Sequence, residues 1–190
     1  LKLIDGGGYN GHHWVYYGAL SNVEYTFTVT DSETGAAKRY FNPATRFASS
    51  GDITAFGPQG AHAQGGPAWA MTRAATPPEI SLATFSAPQE LPGACVATAT
   101  RFCILDNRFA VTATWRDFAG HTGTANAGTL TDDTGYLWFF DDANVEVVLK
   151  MVDAGAFNGH FWVYYGALSN VEYTLTVTDT VAGGSPRIYR

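Results

Sequence analysis

The chain has 190 residues, 46% hydrophobic and 14% aromatic, with only 15% charged and a formal net charge of −6. That length suits one domain or slightly more, and the low charge density excludes charge-driven disorder for most of the chain. No apolar run reaches the ~18 residues a membrane helix needs, and the acidic balance argues against a nucleic-acid partner, which requires a basic face to neutralise phosphates.

Residue 1 opens inside a strand-like run, with no initiator Met and no signal peptide, which reads as an excised or processed piece of something longer. The dominant feature is a repeat. Residues 1–42 match residues 149–190 at a constant offset of 148, with 26 of the 42 positions identical. Between Trp14–Asp31 and Trp162–Asp179 the only difference is Phe27 against Leu175. Both copies carry Asn-Gly-His, one variable residue, then WVYYGALSNVEYT. The second copy has a long upstream part, about 93–148, and the first has none; the first instead continues past Asn42 into NPATRFASSGDITAF. The chain therefore reads as a partial module over 1–56 and a complete module over 93–190. The stretch 57–92 is a Gly/Pro/Ala-rich linker that holds most of the prolines, which break helices and cannot donate to a sheet ladder. Within it Trp69, Ile80, Leu82 and Phe85 are candidate anchors.

Period-two alternation predicts strands. Phe109, Val111, Ala113 and Trp115 share one face, with Thr112, Thr114 and Arg116 on the other. Tyr136–Phe140 is apolar on both faces, as a central strand is. Val145, Val147 and Leu149 alternate with Glu146 and Lys150. Trp162 and Tyr164 oppose Val163 and Tyr165, and Val171, Tyr173, Leu175 and Val177 oppose Glu172, Thr174, Thr176 and Thr178. Turn-like breaks fall at 141–144, 154–155, 158–159 and 169–170. The pairs Asn10-Gly11 and Asn158-Gly159 predict tight hairpins. No segment outside the linker carries a 3.6-residue period. The expected fold is all-β: antiparallel β-sandwich (Ig-like) modules, one complete and one partial. A fragment as small as 1–56 buries too little surface to stand alone and leaves open sheet edges. It must be completed by the linker, by the other module or by another chain.

Cys95 and Cys103 are the only cysteines. Their spacing is not that of a CxxC redox or zinc pair. One short disulfide is expected, worth about 2.5 kcal/mol by loop entropy. It implies an oxidising compartment, so the expected location is extracellular or the cell surface.

Few residues suggest chemistry. His12 and His160 repeat before the Trp, but a metal needs three or four ligands and no HxH or HxxxH companion is present. Asp132, Asp133, Asp141 and Asp142 bracket the GYLWFF strand and are weak calcium candidates, without a DxDxDG loop. Ser21 and Ser169 sit in the repeated GALSN turn, with no G-x-S-x-G. The glycines at 6–8 precede a strand, so they form no phosphate loop. Trp14, Tyr16, Tyr17, Trp162, Tyr164 and Tyr165 are candidate ligand or interface aromatics, either a sugar-stacking platform or strands buried on both faces. No catalytic residue and no cofactor is indicated.

The segments TWRDF, DTGYLWFFDDANVEVVLK and NGHFWVYYGALSNVEYTLTVTDT, with a cysteine pair near the start, resemble a repeat module of secreted multidomain bacterial proteins. The resemblance implies a β-domain in an extracellular bacterial setting and supplies no catalytic residues. The expected function is a non-enzymatic structural protein that self-assembles with copies of itself by strand complementation, into filaments. The alternative is a secreted binding module for carbohydrate or a cell-surface partner.

Overall fold

The computed structural model describes residues 1–57 and 93–190; the expected linker, with Trp69, Ile80, Leu82 and Phe85, lies outside the described residues apart from Gly57. Among the described residues every strand pairing is antiparallel. Residues 1–57 form β1 (Lys2–Gly6), the single-turn α1 (Gly7–Asn10), β2 (His12–Gly18), β3 (Tyr25–Thr30), β4 (Ala37–Asn42) and β5 (Ser49–Phe56). Here β1, β2 and β5 make one sheet in that order, and β3 pairs with β4 in a second.

Residues 93–190 form β6 (Phe102–Ile104), β7 (Phe109–Arg116), β8 (Thr122–Thr124), β9 (Asn126–Thr131), β10 (Thr134–Trp138) and β11 (Val145–Ala154). The single-turn α2 (Gly155–Asn158), β12 (His160–Ala167), β13 (Glu172–Asp179) and β14 (Arg187–Tyr189) follow. One sheet runs β12-β11-β10-β9, the other β14-β13-β7-β6 with β8 on β7. The inward residues of both sheets meet in one core: Phe102 and Ile104 of β6, Val111 and Ala113 of β7, Leu137 of β10, Val147, Leu149 and Met151 of β11, Leu175 and Val177 of β13. Alternation explains the face choice, because successive side chains on a strand point to opposite sides. On β7, Phe109, Val111 and Ala113 are buried while Thr114 and Arg116 are exposed. The all-β antiparallel architecture is thus the one the alternation predicts.

Two local expectations are corrected. Asn10-Gly11 and Asn158-Gly159 do not make two-residue hairpins. Each Asn ends a one-turn helix, and each Gly takes the left-handed conformation as its C-cap, at φ 76° and 75°. A glycine adopts that conformation without the Cβ penalty, so the glycines serve the helix end rather than a type I′ turn. Glu146, read as outward-facing, is instead 1% exposed.

The repeat is visible in strand register. Lys2↔Tyr16 through Gly6↔His12 on β1–β2 recur as Lys150↔Tyr164 through Ala154↔His160 on β11–β12. The following pair differs by one residue. Phe27 and Val29 of β3 face Tyr40 and Lys38, whereas Leu175 and Val177 of β13 face Tyr189 and Arg187. By sequence offset Lys38 corresponds to Pro186. Proline has no N–H to give a ladder, and β14 begins after it. A one-residue slip turns every side chain to the opposite face. The sequence pattern Arg-x-Tyr at 187–189 therefore takes the places held by Lys38 and Tyr40.

Candidate functional site

The two repeated segments touch each other at matching positions. Gly18 at the end of β2 meets Gly166 near the end of β12, its own counterpart. A Cβ built on either would lie 2.6–2.7 Å from the other's Cα, so only hydrogen fits there. Around this seat, Ser49 Oγ donates to Ala167 O at 3.0 Å and accepts from Ala167 N at 3.1 Å. Phe47 packs on Tyr164 with ring centroids 5.4 Å apart. At the start of the chain, Lys2 Nζ donates to Val145 O at 3.1 Å and stands 3.9 Å from Glu146 Oε1. Glu146 also accepts the Phe139 N–H at 2.7 Å and a hydrogen bond from Asn144 Nδ2. Burial pushes the Glu146 carboxyl up, against the pull of the Phe139 N–H and Lys2. Burial pushes Lys2 down, against the pull of Glu146. Removing either partner would strand the other's charge in a poorly solvated place.

The second feature is unequal cover over equivalent strands. In residues 93–190, β11 is paired by β10 on one side and β12 on the other, and β13 is paired by β7 and β14. Among the described residues β1 pairs only with β2 and β3 only with β4. The side chains record the difference. Leu1 is 58% exposed and Leu149, its counterpart, 0%; Leu3 is 54% exposed and Met151 1%. Phe27 and Val29 are half-buried, while Leu175 and Val177 lie in the core. The small core of 1–57 is Val15, Ala55 and Phe56, with Tyr17, Val29, Ala36 and Tyr40 against it. Its apolar face is therefore present in sequence and only partly covered.

Val15 clusters with Ala55 and Phe56 of β5, and Val29 of β3 and Tyr40 of β4 pack against them. Asp52 of β5 faces Val15 in register and its Oδ2 accepts from Tyr40 Oη at 3.0 Å and from Lys38 Nζ at 3.2 Å. Burial raises the Asp52 carboxyl, but the Thr54 N–H, the Tyr40 hydroxyl and Lys38 outweigh it and hold it below the usual value. Burial and the neighbouring Asp52 carboxylate push the Tyr40 phenol well up. One carboxylate thus ties the β1-β2-β5 sheet to β4.

The aromatic candidates are spent on packing. Tyr16 is 5% exposed, with Lys2 over its ring. Tyr17 packs on Phe27 and Tyr40, and Tyr165 on Tyr189. Trp14 donates Nε1–H to Asn10 Oδ1 at 2.8 Å and meets Tyr9 edge-on. Trp162 meets Phe157 in the same way, and Tyr164 meets Phe47. They form no single exposed row. His12 Nδ1 bonds Asn10 O, and the His160 backbone N–H donates to Asn158 Oδ1. Ser21 Oγ and Ser169 Oγ accept the Val23 and Val171 N–H groups, as turn residues do.

The acidic pairs lie at opposite ends of β10 and are not brought together. Asp132 accepts the Asp106 N–H, Asp133 accepts both Thr131 and Thr134 hydroxyls, and Asp141 accepts the Ala143 N–H. Among the described residues no group of three or more His, Cys, Asp or Glu is placed to hold a metal. Cys95 and Cys103 are joined, with Cα atoms 5.8 Å apart, and pack with Ala110.

Sequence reading missed Glu146, the Gly18–Gly166 seat and the Asp52 tie. The last two had a signal, a glycine repeated at the end of WVYYG and an acidic residue inside SSGDITAF. Among the described residues no helix is long and apolar enough to cross a membrane. Comparison with protein-family models, with curated proteins and with solved structures finds no match to the chain.

Proposed function

We propose that the protein is a non-enzymatic extracellular structural protein that self-assembles by β-strand complementation, into filaments. The carrying observation is the contrast between equivalent strands. β11 is flanked by β10 and β13 by β7, whereas among the described residues their counterparts β1 and β3 each have an unpaired edge, with Leu1 and Leu3 exposed. On this reading 1–56 is a partial copy of the module that 93–190 carries whole. An open edge with its row of unpaired N–H and C=O groups is a template for another strand. The Gly18–Gly166 seat adds support, since one copy of the repeat already packs against the other. A contact between unlike surfaces propagates unless its rotation closes a ring. The disulfide supports an oxidising setting.

The test is the size of the full chain between 1 and 200 µM by sedimentation velocity and electron microscopy. Concentration-dependent growth, suppressed by Leu3→Glu, is expected. A strict monomer throughout overturns the proposal, and growth indifferent to Leu3→Glu overturns the β1 edge as a contact.

A second reading, a carbohydrate-binding module, draws on two exposed rings at matching positions. Tyr9 is 84% exposed and Phe157 80%, each edge-on to the Trp of its own copy. Glycan-array signal lost in Tyr9→Ala/Phe157→Ala would favour it, and a blank array removes it.

A further inference from the structure

β2 and β12 share the sequence WVYYG, yet among the described residues only β2 has a strand on its second edge. β5 pairs with it through His13↔Phe56, Val15↔Asp52, Tyr16↔Gly51 and Tyr17↔Ser50. Val15 is fully buried, while Val163, its counterpart on β12, is only half-buried. Among the described residues β12 ends its sheet. Beside it lies a groove of about 700 Å³, lined by Phe161, Val163, Val177, Arg187 and Tyr189 among others. These are the counterparts of the residues that hold β5.

The one-residue slip of β14 makes the match chemical as well as geometric. On β4, Lys38 opposite Val29 and Tyr40 opposite Phe27 bind the Asp52 carboxylate. On β14, Arg187 stands opposite Val177 and Tyr189 opposite Leu175. A cation and a phenol thus occupy the same two positions. The acid lining this groove, Asp179, is already engaged, with its Oδ2 accepting from Arg108 Nη2 at 2.8 Å and Nε at 3.1 Å. Arg187 has no ion pair among the described residues.

We propose that the open edge of β12 is an acceptor for a strand of the β5 type, donated by a second copy of this chain, a proposal that rests on the assembly reading above and adds a further contact to it. Asp52 of the incoming strand binds Arg187 and Tyr189, and its Ala55-Phe56 fills the groove against Val163 and Val177. The acceptor spans Phe161 to Tyr165, because Gly18 of the same chain closes the edge at Gly166. Exchanging a strand between copies is inexpensive, since a ladder of the same kind is lost at β2 and made at β12.

The experiment uses the full chain and a labelled peptide of residues 47–57, read by fluorescence anisotropy. Saturable binding is expected, weakened roughly tenfold or more by Arg187→Glu, the scale of one charge-assisted hydrogen bond. A peptide carrying Asp52→Lys should bind the Arg187→Glu chain better than the wild type. In parallel, wild-type association should be weakened by Arg187→Glu and by excess peptide. No saturable binding up to 1 mM, or equal binding to Arg187→Glu, overturns the proposal. Association that Arg187→Glu leaves unchanged overturns this contact while self-assembly itself stands. A chain that stays monomeric while the peptide binds removes the second copy as donor, and the assembly reading with it.

Discussion

Replacing Gly166 with alanine should separate the two repeated segments. The added Cβ would lie 2.7 Å from Gly18 Cα and 3.1 Å from Gly18 C. Carbon atoms rest at ~3.5–4.0 Å, so the strand ends must move apart by about 1 Å. That shift stretches the Ser49 Oγ contacts to Ala167, now 3.0 and 3.1 Å, to about 4 Å, beyond hydrogen-bond range. Overpacking of this kind costs ~1–3 kcal/mol, and the lost hydrogen bonds are part of the same separation rather than an addition to it. Elsewhere in a strand the change would favour alanine by ~0.5–1 kcal/mol, which makes the sign diagnostic. Hydrogen exchange reads it directly. The Ala167 amide should exchange roughly 5- to 150-fold faster, the equivalent of that cost, with Leu149 and Leu175 unaffected. Gly184→Ala, with nothing within 4 Å of its Cβ position, is the control and should stay within ~0.5 kcal/mol. Unchanged exchange at Ala167 in Gly166→Ala would refute the seat.

Three further outcomes follow from the same geometry. Leu149→Ala should cost ~2–5 kcal/mol in chemical denaturation, while Leu1→Ala, at the matching but exposed position, should stay within ~0.5 kcal/mol; equal effects would deny the unequal cover. Reducing the Cys95–Cys103 bond should cost about 2.5 kcal/mol of stability in residues 93–190, with exchange at β2 and β5 as before; a uniform loss over both would contradict it. Asp52 sits below its usual value, so its contribution is present above the unfolded carboxylate pKa and disappears as pH falls through the folded one. Protection of β5 amides should therefore hold at neutral pH and fall below about pH 4; Asp52→Asn should abolish the step, and protection that falls on raising the pH would be the wrong sign.

The strands were legible because their residues alternate. Val111 and Ala113 inward with Thr114 and Arg116 outward is a pattern that any half-buried strand imposes. The disulfide followed from two cysteines and their spacing. Glu146 was not legible. It alternates with Val145 and Val147 as an outward residue should, but a register shift between Leu137 and Trp138 and the turn at 141–144 bring the Phe139 N–H to it. The one-turn helices were equally hidden, since four residues carry no measurable period. For the candidate site, the similarity of 1–42 to 149–190 is plain in the sequence. The groove beside β12 is not, because it depends on the slip at Pro186, and registers between strands are set by which N–H groups and side chains find partners.

The repeat also separates what sequence decides from what neighbours decide. WVYYGALSNVEYT is the same in both copies, so its strand propensity and its alternation are the same. The pairing register onto β1 and β11 is accordingly the same. Burial is not. Val15 and Tyr16 are buried where Val163 and Tyr164 are half-open, and Phe27 and Val29 are half-open where Leu175 and Val177 are buried. Among the described residues β12 has no counterpart of β5, and β1 and β3 have no counterparts of β10 and β7. A surface shaped by one sequence for a given cover, and left without it, retains its affinity for that cover. Arg187 and Tyr189 sharpen the point, for they place at β14, beside the groove, the cation and phenol that β4 uses.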